Sequence, residues 1–170
     1  MNYLRVVLLY CMEKFISLTN EEESNLSNVI DLDHVQEMID FMRLDPEDSD
    51  FMELVEYLTS DIEDFNFDGY RFIHDSSIDE ILVDELSNDP YMLGCWNNFV
   101  YSQVLDCPPE VATALQAGEQ YEALGQWCMD QNVVEDMAEI LVSHNGYGHH
   151  FNVYDGSDNE IGHYHVFRVN

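Results

Sequence analysis

The sequence predicts an α+β fold that is rich in helix and carries a small antiparallel sheet including a C-terminal β-hairpin. Three observations support this fold class. Apolar residues recur with helical spacing through most of the chain, aromatic residues alternate with polar ones near residue 65, and turn residues separate two apolar segments at the C-terminus. With 170 residues, of which 46% are hydrophobic, the chain is long enough to bury a core in one or two domains.

The first helices are predicted between residues 34 and 86. Apolar side chains in residues 34–44 follow the i, i+3, i+4, i+7 pattern of one helical face. Asp45 and Pro46 indicate a new helix, because Asp favours the N-cap and Pro favours the first helical position. A third helix is expected after Ser76 or Ser77, each of which begins a weak capping-box pattern.

A strand or hairpin is predicted between the second and third helices. Phe65 and Phe67 alternate with polar residues ahead of Gly69, as in a half-buried strand. The segment from Asp64 to Gly69 also matches the opening of an EF-hand calcium loop, but Arg71 would place a cation where it repels calcium. We therefore favour the strand interpretation.

The second half of the chain is predicted to be helical as far as residue 145. Helices are expected over residues 91–105, after Pro109 with Val111, Ala114 and Leu115 on the apolar face, and over two later stretches, 119–129 and 133–142. Beyond the helix stop at Asn145-Gly146, the segments GYGHHFNVY and IGHYHVFRV are expected to pair as a hairpin across a turn at residues 155–159.

Charge divides the chain into three regions. The sequence has 35 acidic residues against five basic ones, a net charge of −30. Residues 21–89 form a highly acidic helical region with 23 of the acids, and residues 90–170 form a helical region with 11 acids that ends in the hairpin. Residues 1–20 contain a short apolar run. We expect there either a buried strand or helix or a translation start at Met12, because the run is too short to span a bilayer.

The five basic residues are Arg5, Lys14, Arg43, Arg71 and Arg168. They are too few to form the basic patch that nucleic-acid binding requires, and anionic membranes are disfavoured for the same reason. No glycine-rich phosphate loop is present. The four cysteines lack C-x-x-C spacing and are expected to be reduced thiols in a bacterial cytoplasm. These features favour a cationic partner, either a metal ion or a basic protein surface.

Catalysis has little support in the sequence, and we expect a protein that is not an enzyme and needs no cofactor. No G-x-S-x-G motif and no nucleophile with an obvious base is present. One alternative is a metal-dependent hydrolase that uses the C-terminal histidines. If the predicted hairpin formed, His163 and His165 would share a face, and His149 or His150 could lie near them.

Acidic residues of the front region recur on one side of the predicted helices. Asp50, Glu53 and Glu56 are spaced three residues apart, away from the apolar positions. Like-charged pairs at this spacing cost about 0.2–0.5 kcal/mol each, and a surface selected only for solubility would mix charges of both signs. B-DNA carries one charge per ~1.7 Å of axis, so thirty charges correspond to about 15 base pairs.

In size, net charge and acid-bearing helices such as Asp45 to Asp64, the chain resembles the small antirestriction proteins of the ArdA and Ocr type. This resemblance implies a mimic of DNA that occupies a restriction enzyme, a CRISPR complex, another defence nuclease or a host DNA-binding protein. An alternative is an acidic module that binds another basic protein.

The predicted partner is thus a basic DNA-binding protein or nuclease complex. We expect this chain to make no direct contact with nucleic acid or membrane. A homodimer would lengthen the row of negative charges that the chain presents. The residues predicted to contact this partner are acids of the front region: Asp45, Glu47, Asp48, Asp50, Glu53, Glu56, Asp61, Glu63, Asp64, Asp68, Asp79, Glu80, Asp84 and Glu85.

Overall fold

The computed structural model describes residues 37–38, 40–43, 49–58 and 62–170, so the expectations for residues 1–20 and for Asp45-Pro46 lie outside the described residues. Over these residues the protein has the predicted α+β fold, with many helices and one antiparallel sheet. Its chain forms two compact units. Unit 1 contains the residues up to Asp75 together with Asn159–Arg168 and Asn170, and unit 2 contains Ser76–Asp158 and Val169. The boundary between them falls earlier than the charge boundary near residue 89.

Unit 1 contains a four-stranded antiparallel sheet. Its strands are β1 (Asp64–Phe67), β2 (Tyr70–His74), β3 (Asn159–Ile161) and β4 (Tyr164–Arg168), in the order β1-β2-β4-β3. The sheet therefore joins two hairpins that are far apart in sequence, and β2 pairs with β4 at its centre.

The first hairpin closes through a two-residue turn. Asp68 and Gly69 have φ values of 44° and 79°, the left-handed conformation that a tight hairpin turn requires. Phe65 and Phe67 are buried while the residues before each of them are exposed, so the predicted alternation is confirmed. The calcium-loop alternative is wrong, because this segment forms two paired strands rather than an open ligand loop.

The core of unit 1 lies between this sheet and helix α1 (Ser49–Leu58). Leu54 is fully buried, and the ring of Phe65 stacks between Tyr57 and Phe72 with both centroid distances at 4.8 Å. Residues 37–38 and 40–42 are also helical, as predicted, and Met38 packs into the same core. Aromatic stacking of this kind contributes about 0.5–1.5 kcal/mol per pair beyond the burial of area.

Unit 2 is helical. Its helices are α2 (Ile78–Ser87), α3 (Pro90–Gly94), α4 (Asn98–Val104), α5 (Pro109–Ala117), α6 (Tyr121–Asp130), α7 (Val134–Asn145) and α8 (Gly148–Phe151). The apolar face of α2 buries Ile78, Leu82 and Leu86, as its spacing predicts. Ser77 stands at its N-cap without a capping hydrogen bond from the side chain.

The predicted helix over residues 91–105 is interrupted. The break between α3 and α4 is stabilised by the buried Tyr101, whose hydroxyl donates to the Leu93 carbonyl at 2.7 Å and accepts from the Trp96 amide at 2.9 Å. Gln116 donates to the carbonyls of Gly94 and Trp96, both at 2.8 Å. These side chains satisfy backbone groups that a continuous helix would have paired internally.

Helix α5 turns a different face inward from the one predicted. Ala112 is fully buried, whereas Val111 and Ala114 are exposed and Leu115 is half-buried. Ala112 therefore marks the inward face of α5, which the apolar pattern alone does not predict.

The C-terminal hairpin is present, but its predicted first strand is wrong. Residues Gly148–Phe151 form helix α8, and the hairpin pairs β3 with β4 through Gly162 and His163. The buried Asn152 holds the chain after α8 in a compact loop, because its amide nitrogen donates to the Ser157 carbonyl at 2.7 Å. The side-chain oxygen of Asn152 also accepts hydrogen bonds from the backbone amides of Tyr154 and Asp155.

Helices α3 and α6 cross at reciprocal glycines. A Cβ atom at Gly94 would lie 1.8 Å from the Tyr121 carbonyl oxygen, and one at Gly125 would lie 1.7 Å from the Pro90 carbonyl oxygen. Each helix thus packs its glycine against the backbone of the other. Any side chain at these positions would force the two helices apart.

We predict that Gly125→Ala lowers the free energy of unfolding by about 3 kcal/mol, since a buried backbone clash cannot be relieved by a side-chain rotation. The matched control is Gly118→Ala, where the nearest atom to a new Cβ lies at an ordinary 3.4 Å. Urea unfolding followed by circular dichroism measures both variants. Equal stability of Gly125→Ala and the parent would show that the helices do not cross as described.

Candidate functional site

The candidate site is the acidic surface, and three of its predicted residues lie on α1 in unit 1. Asp50, Glu53 and Glu56 are exposed, while Leu54 is fully buried and Leu58 is half-buried. The helix therefore separates acids from core residues as predicted. Side chains three positions apart on a helix are separated by about 5–6 Å at Cβ, so the three carboxylates form a continuous acidic ridge.

The predicted site acids of the first hairpin differ in their surroundings. Asp64 accepts two hydrogen bonds from Arg71, at 2.8 and 2.7 Å, in a bidentate salt bridge. This pairing cancels one negative charge locally. Glu63 and Asp68 are exposed. We expect them to contribute more to the negative field of unit 1 than Asp64 does.

The four predicted site acids of unit 2 lie on α2. Asp79 accepts a hydrogen bond from the hydroxyl of Tyr147 at 2.6 Å, and Glu85 lies 2.9 Å from the imidazole of His150. Both carboxylates therefore tie α2 to the C-terminal part of the unit. Glu80 and Asp84 are exposed. The remaining predicted acids, Asp45, Glu47, Asp48 and Asp61, lie outside the described residues.

Counted by structural unit rather than by sequence region, the net charge is evenly distributed. Unit 1 has 20 acidic residues against five basic ones, and unit 2 has 15 acidic residues against none, so each has a net charge of −15 with histidines neutral. The sequence alone does not indicate this equality, because residues 21–89 contain 23 of the 35 acidic residues. The absence of Lys and Arg between residues 71 and 168 was the sequence signal that unit 2 is equally one-signed.

Sequence reasoning omitted a set of exposed acids in the helical part of unit 2. They lie on or beside α5, α6 and α7. The set comprises Asp106, Glu110, Glu119, Glu122, Asp130, Glu135, Asp136 and Glu139. Any surface contacted by a cationic partner can therefore include unit 2 as well as the α1 ridge.

The histidines of the C-terminal region are distributed over both units. His144, His149 and His150 belong to unit 2, whereas His163 and His165 lie in the second hairpin of unit 1. The expected grouping of His149 or His150 with the hairpin histidines depended on a strand that is instead helix α8. His163 and His165 have a different neighbour, Asp75, at 3.8 and 3.5 Å.

The cysteines of the described residues are free thiols with different exposures. Cys95 is exposed, Cys107 is half-buried and Cys128 is buried. Burial raises the pKa of the Cys128 thiol to about 11, so this residue stays protonated and is a poor nucleophile at neutral pH. Cys128 therefore serves as a core residue of α6.

The chain matches no family model, no curated protein and no solved structure. Within the part of the chain that the structure describes, no helix has the length and apolar character needed to cross a membrane.

We predict that the melting temperature rises as sodium chloride is increased from about 10 to 300 mM. Salt shortens the Debye length from about 30 Å at 0.01 M to about 8 Å at 0.15 M, which weakens repulsion among exposed carboxylates. Thermal unfolding followed by circular dichroism tests this. Replacing Glu135, Asp136 and Glu139 by their amides should reduce the salt effect. A melting temperature that falls with salt would mean that attractive charge pairs dominate.

Proposed function

We propose that the protein is a DNA mimic that inhibits a basic DNA-binding protein or nuclease complex by occupying its DNA-binding surface. One observation carries this proposal. None of the 25 acidic residues at described positions is buried: 22 are exposed and three are half-buried. The basic residues in the same part of the chain are Arg43, Arg71 and Arg168, and Arg71 is already paired.

Like-charge repulsion is the reason to assign these acids a role in binding. Each close pair of carboxylates on a helix costs a few tenths of a kcal/mol, and a typical domain has only about 5–15 kcal/mol of stability. Surface acids mixed with lysines would give solubility without this cost. An arriving basic groove relieves the repulsion, so the energy stored in the free protein favours the complex.

We infer the class of partner from the chemistry by which proteins bind duplex DNA. A protein that holds phosphates with Lys and Arg presents a cationic surface at the spacing of those phosphates. Ridges of carboxylates such as Asp50, Glu53 and Glu56 supply anionic oxygens for the same side chains. Binding to the mimic would also release the counterions that condense on a one-signed surface.

This function places the protein in the cytoplasm of a bacterial host, where nucleases that defend against foreign DNA act. A restriction enzyme, a CRISPR complex or a host DNA-binding protein would each present the required surface. The alternative is an acidic module for a basic protein that does not bind DNA. Competition with DNA separates the two, because only a DNA-binding partner is displaced from the mimic by duplex DNA.

We predict that Asp50→Asn, Glu53→Gln and Glu56→Gln together weaken inhibition of the partner at least tenfold, or about 1.4 kcal/mol. Single changes such as Glu53→Gln should have little effect, because individual exposed charges are screened by solvent. The measurement is a competition assay against labelled duplex DNA, using the partner captured from a host lysate. The triple variant should fold at least as stably as the parent.

The matched control neutralises Glu135, Asp136 and Glu139 on α7 of unit 2. It removes the same number of charges, also from one helix with acids in its first turn. A larger loss of inhibition from the α1 variant would locate the contact on the ridge. Equal losses would indicate that only total charge matters, and undiminished inhibition by the α1 variant would exclude the ridge as the contact surface.

A further inference from the structure

We propose that the second hairpin of unit 1 holds a binding site for a divalent transition metal ion of the Zn²⁺ class. The site is formed by four side chains, which we call the hairpin cluster: Asp75, Glu160, His163 and His165. This inference is independent of the acidic surface and of the proposed inhibition of a DNA-binding protein.

The topology of the sheet brings the hairpin cluster together from three strands. Asp75 directly follows β2, Glu160 lies in β3, His163 lies in the turn between β3 and β4, and His165 lies in β4. In the β3–β4 ladder Glu160 is paired opposite His165, so both side chains stand on the same face. The Asp75 amide donates to the His163 carbonyl at 2.9 Å, which fixes the backbone of Asp75 beside the turn.

The two distances from the Asp75 carboxylate to the histidines fit metal ligands better than direct hydrogen bonds. The Asp75 carboxylate lies 3.5 Å from His165 Nε2 and 3.8 Å from His163 Nδ1. Charge-assisted hydrogen bonds are shorter, about 2.7–2.9 Å. Ligand atoms at about 2.0–2.1 Å from a tetrahedral ion lie about 3.4 Å from one another. A ring nitrogen of His165 also lies within 4.8 Å of a Glu160 carboxylate oxygen.

The hairpin cluster combines one fixed ligand with adjustable ones. The side chain of His165 is only 11% exposed, and its ring stacks in parallel with Phe167. By contrast, the side chains of His163 and Asp75 are 61% and 50% exposed, and Glu160 is also exposed. A buried imidazole can therefore anchor an ion while the exposed side chains rotate to complete the coordination.

The mixture of ligands indicates the class of ion. Imidazole nitrogen with carboxylate oxygen suits Zn²⁺ and neighbouring transition ions, whereas Ca²⁺ and Mg²⁺ prefer oxygen alone. This preference for nitrogen ligands can be tested in a protein of charge −30, because a site that acted through charge alone would bind any divalent cation. Selectivity for Zn²⁺ over Ca²⁺ and Mg²⁺ therefore distinguishes the hairpin cluster from the acidic surface.

We predict that the full-length protein binds one Zn²⁺ ion per chain in isothermal titration calorimetry, with Mg²⁺ present in excess to occupy nonspecific sites. Co²⁺ used as a spectroscopic probe should give a visible absorption band that Zn²⁺ removes. His163→Ala and Glu160→Gln should each weaken Zn²⁺ binding about tenfold or more, since even outer-shell partners contribute 10–100-fold. His165→Gln should abolish it.

Two controls make the outcome decisive. His149→Ala removes an exposed histidine from unit 2 and should leave Zn²⁺ binding unchanged. If His165→Gln fails to fold, the exposed positions His163 and Glu160 decide, because their replacement does not disturb the core. Zn²⁺ binding no tighter than that of Mg²⁺, or binding unaffected by these two changes, would overturn the proposal and leave the hairpin cluster as simple ion pairs.

Discussion

Repulsion among carboxylates is the constraint on which the rest of this structure depends. Each unit has a net charge of −15, and the acids at described positions reach solvent, so the chain must offset their mutual repulsion with its cores. Unit 1 uses stacked aromatic rings, in which Phe65 packs between Tyr57 and Phe72. Unit 2 uses helix contacts close enough to require glycine at positions 94 and 125. In both units the packed core stabilises the fold against the repulsion among the surface carboxylates.

The described residues contain few cationic and imidazole groups, and some of these pair with acids of their own unit. Arg71 binds Asp64 within the first hairpin, and His150 lies against Glu85 in unit 2. These contacts join elements of the same unit, and the described residues contain only three basic side chains against 25 acidic ones, none of which is buried. The distribution is consistent with a surface that gains its positive partner from another molecule.

Local features of the fold could be predicted from the sequence because neighbouring residues determine them. The alternation at Phe65 and Phe67 and the left-handed turn at Asp68-Gly69 specify a hairpin by themselves. The spacing of Ile78, Leu82 and Leu86 similarly specifies one buried face of α2. In each case the same few residues determine both the backbone conformation and the buried side.

Features that depend on distant residues could not be predicted. The break before α4 exists because Tyr101 and Gln116 bind the backbone of α3 and its C-terminal end, across 8 to 22 positions. Pairing of Asp64 with Arg71, which removes one predicted site residue from the negative field, follows from the hairpin register. Asp75 joins His163 and His165 only because β2 pairs with the remote strand β4.

The central claim is that a cationic DNA-binding surface relieves the repulsion of this protein. The most direct measurement is capture of host proteins on the immobilised full-length chain, followed by elution with duplex DNA and, separately, with a salt gradient, and identification by mass spectrometry. The account predicts that the retained proteins bind DNA and that duplex DNA displaces them at constant salt. Retention of proteins that duplex DNA cannot displace, or of none with a basic surface, would contradict it.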